Sequence, residues 1–215
     1  MKLAEQYLKL SEKGSKKSAP GMDDPRRADE VSYLEDVHRI EESFAVMLWR
    51  TLPGAKVVYT NMDKACVATE QEVWHRPETY LHRHDFIEML YVVKGELNQI
   101  ICGQKQTFTE GTACIIDTNC EHTDIVADQD NFVVFLCMDE SFFDQLFLAG
   151  INGSSLQQFL IKALLSQKSQ KQFIRFRPKD DVNTVYDLVE QVVTEKDTHR
   201  IGADYIIKGL MIRIF

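Results

Sequence analysis

The segment HRHDFIEMLYVVKG brings His82, His84 and Glu88 close together in the chain, and His122 follows at the end of GTACIIDTNCEH. Three imidazoles and one carboxylate are a donor set for a divalent transition metal, because neutral ring nitrogens and a hard oxygen suit Zn, Ni, Fe or Mn. The same four groups can instead hydrogen-bond an effector hydroxyl or amine without any ion. Geometry bears on that choice. In a straight strand His84 and Glu88 share a face but stand about 13 Å apart at ~3.3 Å per residue. Two metal–ligand bonds of about 2 Å do not close such a gap, so a shared ion requires a turn or bulge around Asp85-Phe86. Without one, Glu88 lines the interior alone. Either way His82, His84, Glu88 and Leu90 fall on one strand parity, read as inward, and Tyr91 falls on the other. Trp74, Tyr80 and Phe86 flank the cluster and are candidates for a wall that stacks on a ligand ring, with plain core packing as the alternative. The remaining histidines read differently: His38 as a partly exposed helix position, His75 as a loop residue, His199 as part of a helix–helix turn.

The elements that must position these side chains are legible from the hydrophobic pattern. Between Lys56 and Met138 short runs rich in Val, Ile, Phe and Tyr (KVVYT, FIEMLYVV, ELNQIIC, QTFT, TACIID, HTDIVA, NFVVFLCM) alternate with Gly, Asn and Asp clusters. That spacing predicts an antiparallel sandwich or barrel. VVKGEL and TEGTA predict turns in which glycine supplies the positive φ. Upstream, residues 11–30 are polar with Gly and Pro and read as a linker or arm. Leu34, Val37, Ile40, Phe44, Met47 and Leu48 recur at helical spacing and predict a helix ended by Pro53-Gly54. Downstream of Met138 helical spacing is again expected: one helix capped by Ser141 and carrying Phe142, Phe143, Leu146 and Phe147, then another through Leu156, Phe159, Leu160, Ala163 and Leu164. FIRFR (173–177) predicts a short strand. A helix with Val182, Val185, Leu188, Val189 and Val192 on one face follows, and then a stripe of Ile207, Leu210, Met211 and Ile214.

Composition excludes several functions. The chain has 215 residues, 25 Lys and Arg against 33 Asp and Glu, and a net charge of −8. A surface that grips a phosphate backbone needs clustered cations, so these residues are not the ones that would touch DNA. No segment has the run of apolar residues needed for a membrane span or a signal peptide. Five cysteines lack CxxC spacing, and Cys102, Cys114 and Cys137 sit in apolar runs, which predicts free buried thiols in a reducing cytoplasm.

The HxHxxxE spacing up to Gly95, and the Gly111 to His122 segment, resemble the two motifs of the cupin superfamily. The first motif matches in full. The second matches at Gly111 and His122 only, with Asp117, Asn119 and Val126 where Pro, Gly and Asn are usual. The resemblance implies a mainly β fold with some helix, a cupin barrel (double-stranded β-helix, jelly-roll-like), in which His82, His84, Glu88 and His122 are the metal ligands. From about residue 55 to 215, the order of strand pair, His-bearing turn, helices, FIRF strand and helix pair is similar to the sensor half of AraC-family regulators. That implies residues 55–138 as barrel and 139–215 as a helical dimerisation or linker segment leading to a DNA-binding helix-turn-helix domain outside this sequence. Residues 1–54, an arm with a helix, fall outside the resemblance. The expected function is sensing of a small-molecule effector by a cytoplasmic homodimer that binds DNA through that further domain. A chain stopping in mid-pattern at Phe215 fits a longer native protein. The alternative is a metal-dependent cupin enzyme of the dioxygenase or isomerase class; the expectation here is a non-enzyme.

Overall fold

After Asn131 the run NFVVFLCM is apolar at every position, and a strand of that kind is stable only where both faces of its sheet are covered. In the computed structural model, which describes residues 37–63, 66–73, 77–118, 120–148, 173–177 and 182–214, this run is completely buried. In chain order the strands are β1 (Val37–His38), β2 (Phe44–Leu52), β3 (Lys56–Asp63), β4 (Cys66–Val73), β5 (Arg83–His84), β6 (Ile87–Lys94), β7 (Glu96–Ile101), β8 (Gln104–Thr109), β9 (Ala113–Ile116), β10 (His122–Ile125), β11 (Asn131–Met138) and β12 (Phe173–Phe176). The helices are α1 (Glu140–Leu148), α2 (Val182–Thr198) and α3 (Ala203–Ile214). A large sheet runs β12-β9-β6-β11-β2-β3-β4, and a smaller one runs β10-β7-β8. The pairings within both are antiparallel.

The two sheets face each other across an apolar interior. Leu90, Val92, Cys114, Val133 and Phe135 of the large sheet meet Leu97, Ile101 and Phe108 of the small one. The other face of the large sheet (Val46, Leu48, Met89, Tyr91, Val134, Leu136) is covered by Phe142, Leu146, Val189, Val192, Leu210 and Met211 from the helices. Tyr91 and Leu90 therefore divide between outer and inner faces as their parity requires. β7 shows the half-exposed alternative, with every second residue buried. Together these elements make a mainly β fold of two facing antiparallel sheets, with helices packed on the outer face of the larger one. At the β6–β7 hairpin Gly95 has φ +75°, and a Cβ there would stand 2.7 Å from the Asp130 carbonyl oxygen, so the position admits only glycine without strain. Gly111 also turns at positive φ (75°).

The structure differs from sequence expectation at several places. Residues 44–52 form a strand of the large sheet rather than a helix ended by Pro53-Gly54, so the sheet begins within the segment read as an arm. The cause is its central place between β11 and β3: Phe44, Val46 and Leu48 face the helices while Trp49 faces the interior. Apolar residues on both parities mimic a helical repeat over so short a run. Asp139, not Ser141, caps α1, its carboxylate accepting from the Phe142 N–H at 2.8 Å. Cys102 is disulfide-bonded to Cys120, with Cα atoms 5.9 Å apart, rather than free. Cys114 and Cys137 are free and buried, as expected. The FIRF strand, α2 and α3 match expectation. The helix expected around 156–164 lies outside the described residues, as do His75 and residues 1–36.

Candidate functional site

Four loosely related pieces of chain converge on one cluster. His122 opens β10, and its backbone exchanges two hydrogen bonds with His82 (N–H to O, 3.1 and 2.9 Å), an isolated antiparallel bridge that fixes the two residues opposite each other. Two residues on, His84 ends β5. The chain then bends at Asp85-Phe86 before β6 begins at Ile87. That bend closes the 13 Å gap of a straight strand, and His84 Nδ1 stands 3.6 Å from a Glu88 carboxylate oxygen. The other Glu88 oxygen stands 3.7 Å from His122 Nε2. Ring centroids of His82 and His122 are 4.3 Å apart, and those of His84 and His122 are 4.8 Å apart.

Orientation is set by backbone carbonyls. The Nδ1 of His82 pairs with the Tyr80 carbonyl at 2.8 Å, and the Nδ1 of His122 pairs with the Cys120 carbonyl at 3.1 Å. In the neutral ring, donation from Nδ1 leaves the lone pair on Nε2. Histidine ligands of metals are commonly held in this way by a carbonyl behind the ring. The disulfide to Cys102 and a hydrogen bond from the Cys102 N–H to the Glu121 carbonyl (2.8 Å) restrain the turn that carries His122.

Burial governs the electrostatics. His84, Glu88 and His122 are all buried. Burial, then the neighbouring His122, His82 and His38, pushes His84 far below the usual histidine range. Burial, then His82, lowers His122 to about 4, against an opposing pull from Asp124. Burial, with the charge of Asp124 second, raises the Glu88 carboxyl well above the usual range. The cluster is thus neutral imidazoles around a carboxyl that resists ionising. Glu88 Oε1 and His122 Nε2, the pair separated by 3.7 Å, have no hydrogen-bond partner. Buried polar atoms left in this state are uncommon in folded proteins.

The residues present fit a divalent transition metal. Donor atoms of His84, Glu88 and His122 lie within 4.8 Å of one another. Ligands of one ion at bonds of about 2.1 Å stand roughly 3.4 Å apart in a tetrahedron, close to the observed 3.6 and 3.7 Å. An ion there would draw on His84, Glu88 and His122 and would act as a Lewis acid or as a ligand anchor.

Of the flanking aromatics, Phe86 is buried and stacks on His84, with centroids 4.4 Å apart and planes 8° apart. Tyr80 is 38% exposed and supplies its carbonyl, not its ring, to His82. Trp74 lies outside the described residues. Sequence reasoning placed His38 on a helix face, but it sits in β1, parallel to β5 and partnered with His84. Its ring stacks on His82, with centroids 4.7 Å apart. No local pattern announces that pairing.

No protein-family model matches this sequence, and no curated protein matches it. Similar solved structures include ToxT from Vibrio cholerae strain SCE256 with an unsaturated fatty acid bound (13% identity, TM-score 0.44, covering 83% of this chain and 56% of that one). ToxT from V. cholerae O395 bound to (E)-4-(8-methylnaphthalen-1-yl)but-3-enoic acid is another (14%, 0.44, covering 80% and 54%). A cupin 2 conserved barrel domain protein from Salinispora arenicola CNS-205 is a third (12%, 0.33, covering 52% and 76%). The chain spans about half the length of the ToxT structures it matches.

Proposed function

We propose that this chain is the effector-sensing part of a bacterial transcription regulator of the AraC type, and that a small ligand is captured at His82, His84, Glu88 and His122. The observation that carries the reading is the pair of buried, unpartnered atoms, Glu88 Oε1 and His122 Nε2. Leaving each unsatisfied costs the ligand-free protein about 1–3 kcal/mol, and a ligand that supplies the missing partner returns that energy on binding. On this reading a chain of net charge −8 would leave DNA contact to a further domain, and a homodimer would bring two such domains to a paired site.

Sensing needs ligand affinity that differs between two states of the protein. Expression of the whole reading frame that contains these residues tests this directly. Duplex DNA binding that changes with ligand is the expected result. A frame with no helix-turn-helix segment, or DNA affinity indifferent to every ligand, refutes it. The ligand itself is sought by thermal melting with a library of small carboxylates, amines and sugars, repeated with His84→Ala.

A second reading, a metal-dependent enzyme, is favoured by the carbonyl-held Nδ1 atoms of His82 and His122, which leave Nε2 for an ion. Elemental analysis after expression with Zn, Ni, Fe and Mn supplements distinguishes the two. A stoichiometric redox-active metal, with turnover lost in His84→Ala, supports the enzyme. Protein that takes up none of the four removes it.

A further inference from the structure

We infer that His38 is itself a metal ligand, and that His38, His82 and His84 form a three-imidazole site for Zn2+ or Ni2+ at the outer end of the cluster. The inference rests on the reading of the cluster as a ligand site but adds a residue that belongs to neither sequence motif. Donor atoms of His38, His82 and His84 all lie within 4.8 Å of one another, and this group shares His84 with the inner group of His84, Glu88 and His122. Centroid distances from His38 are 4.7 Å to His82 and 5.7 Å to His84.

The backbone presents His38 at this point by several independent means. β1 pairs in parallel with β5, with His38 opposite His84, and the Asp85 N–H donates to the His38 carbonyl at 3.2 Å. Arg39 pairs with Asp85 at 3.5 Å. A few residues on, the N–H groups of Glu41 and Glu42 donate to the buried Asp63 carboxylate at 2.7 and 3.1 Å. The segment is therefore anchored behind His38, while β1 itself is two residues long. So short a strand, with an exposed ion pair worth about 0–1 kcal/mol, is marginal by itself. Coordination by His38 would fasten it to β5.

Three imidazoles select for Zn2+, Ni2+ or a similar borderline ion, and against Mg2+ and Ca2+, which need oxygen ligands. A tetrahedral ion held by three side chains keeps a fourth position for water or a small anion. The inner group reaches that ion only through the shared His84, so the two groups respond differently to substitution.

The test is calorimetric titration of Zn2+ and Ni2+ into the full chain as wild type, His38→Ala, His38→Cys, and His199→Asn as a control distant from the cluster. The expected result is a loss of affinity of about tenfold or more in His38→Ala, the scale on which even supporting residues of metal sites act. His38→Cys should keep Zn2+ binding, and the control should be unchanged. Amide exchange at Asp85, whose N–H meets the His38 carbonyl, should slow with ion in the wild type but not in His38→Ala. Wild-type affinity retained within twofold in His38→Ala overturns the assignment of His38 and leaves the inner cluster standing. No ion bound by the wild type overturns the metal site altogether, without touching a metal-free effector reading.

Discussion

Replacing Glu88 by methionine exchanges a carboxyl for an apolar group of similar length at a position only 3% exposed. One of its oxygens has no hydrogen-bond partner, and the histidine nitrogens nearest to the two oxygens stand at 3.6 and 3.7 Å, beyond hydrogen-bonding range. Burial, then Asp124, pushes the carboxyl well above its ordinary range, so the folded protein without ligand bears a desolvation cost and receives little in return. Removing an unsatisfied buried polar group relieves about 1–3 kcal/mol. Glu88→Met should therefore be more stable than the wild type by that amount, or about 2–12 °C in Tm at the ~2–4 °C per kcal/mol of a chain this size. The gain should be measured by urea unfolding followed by circular dichroism in EDTA. Stabilisation by an ion at the inner group of His84, Glu88 and His122 should disappear in the same variant, while binding at His38, His82 and His84 remains. Stability falling by more than about 1 kcal/mol would refute the reasoning, because Glu88 would then be a structural partner of His84 and His122 rather than a group kept for a ligand.

Three further outcomes follow from the geometry around this site. Gly95→Ala forces an L-residue to φ +75° and sets its Cβ 2.7 Å from the Asp130 carbonyl; the left-handed conformation alone costs about 1–2 kcal/mol, so urea unfolding should show a loss of at least that size, and a neutral result would mean that the hairpin relaxes freely. Reducing the Cys102–Cys120 bond opens a cross-link between residues 18 apart, worth about 3 kcal/mol by loop entropy; Tm should fall in dithiothreitol for the wild type and not for Cys102→Ser, and equal falls would deny the bond. The Arg50 hydrogen bonds, opposed by burial, hold the Asp130 carboxyl down from 3.8 to about 2; its folded value lies below its unfolded one, so the contribution is present above about pH 4 and lost as pH falls toward 2. The stability difference between wild type and Arg50→Leu should shrink across that interval, and a difference independent of pH would remove Asp130 as its source.

The HxHxxxE spacing and His122 were readable because metal-type donor sets are written in local sequence, and the need for a bend at Asp85-Phe86 followed from strand length alone. The inward parity of Glu88 and Leu90, and the outward parity of Tyr91, were readable for the same reason. His38 was not. Its role depends on two residues pairing with a strand some 45 positions away, and the surrounding apolar residues satisfy a helical template equally well because β2 is covered on both faces. The Cys102–Cys120 contact is also made by folding: β7 and β10 bring the two turns together, and no spacing rule marks them. Tyr80, read from the sequence only as a flanking aromatic, is 38% exposed in a stretch that is joined to β10 by isolated bridges rather than by a continuous ladder.

Where a ligand's effect would be largest is decided by distance. At the inner group, donors now 3.6 and 3.7 Å apart need contract by only about 0.2–0.3 Å to the ~3.4 Å spacing of a tetrahedral ion. Glu88 is followed on β6 by Met89, which packs against the helices in a filled core. A shift of a few tenths of an ångström there is within what packed side chains absorb without changing partners. The outer end is different. β1 is only two residues long, held by its pairing with β5, the Asp85 N–H bond to the His38 carbonyl, the stacking of His38 on His82 and an exposed ion pair, and an ion worth tenfold in affinity supplies about 1.4 kcal/mol at that point. Energy of that size is large beside the pairing of a two-residue strand and small beside a packed helix layer. The displacement that reports ligand binding in this chain is therefore expected at Val37–His38, ahead of any movement in α1, α2 or α3.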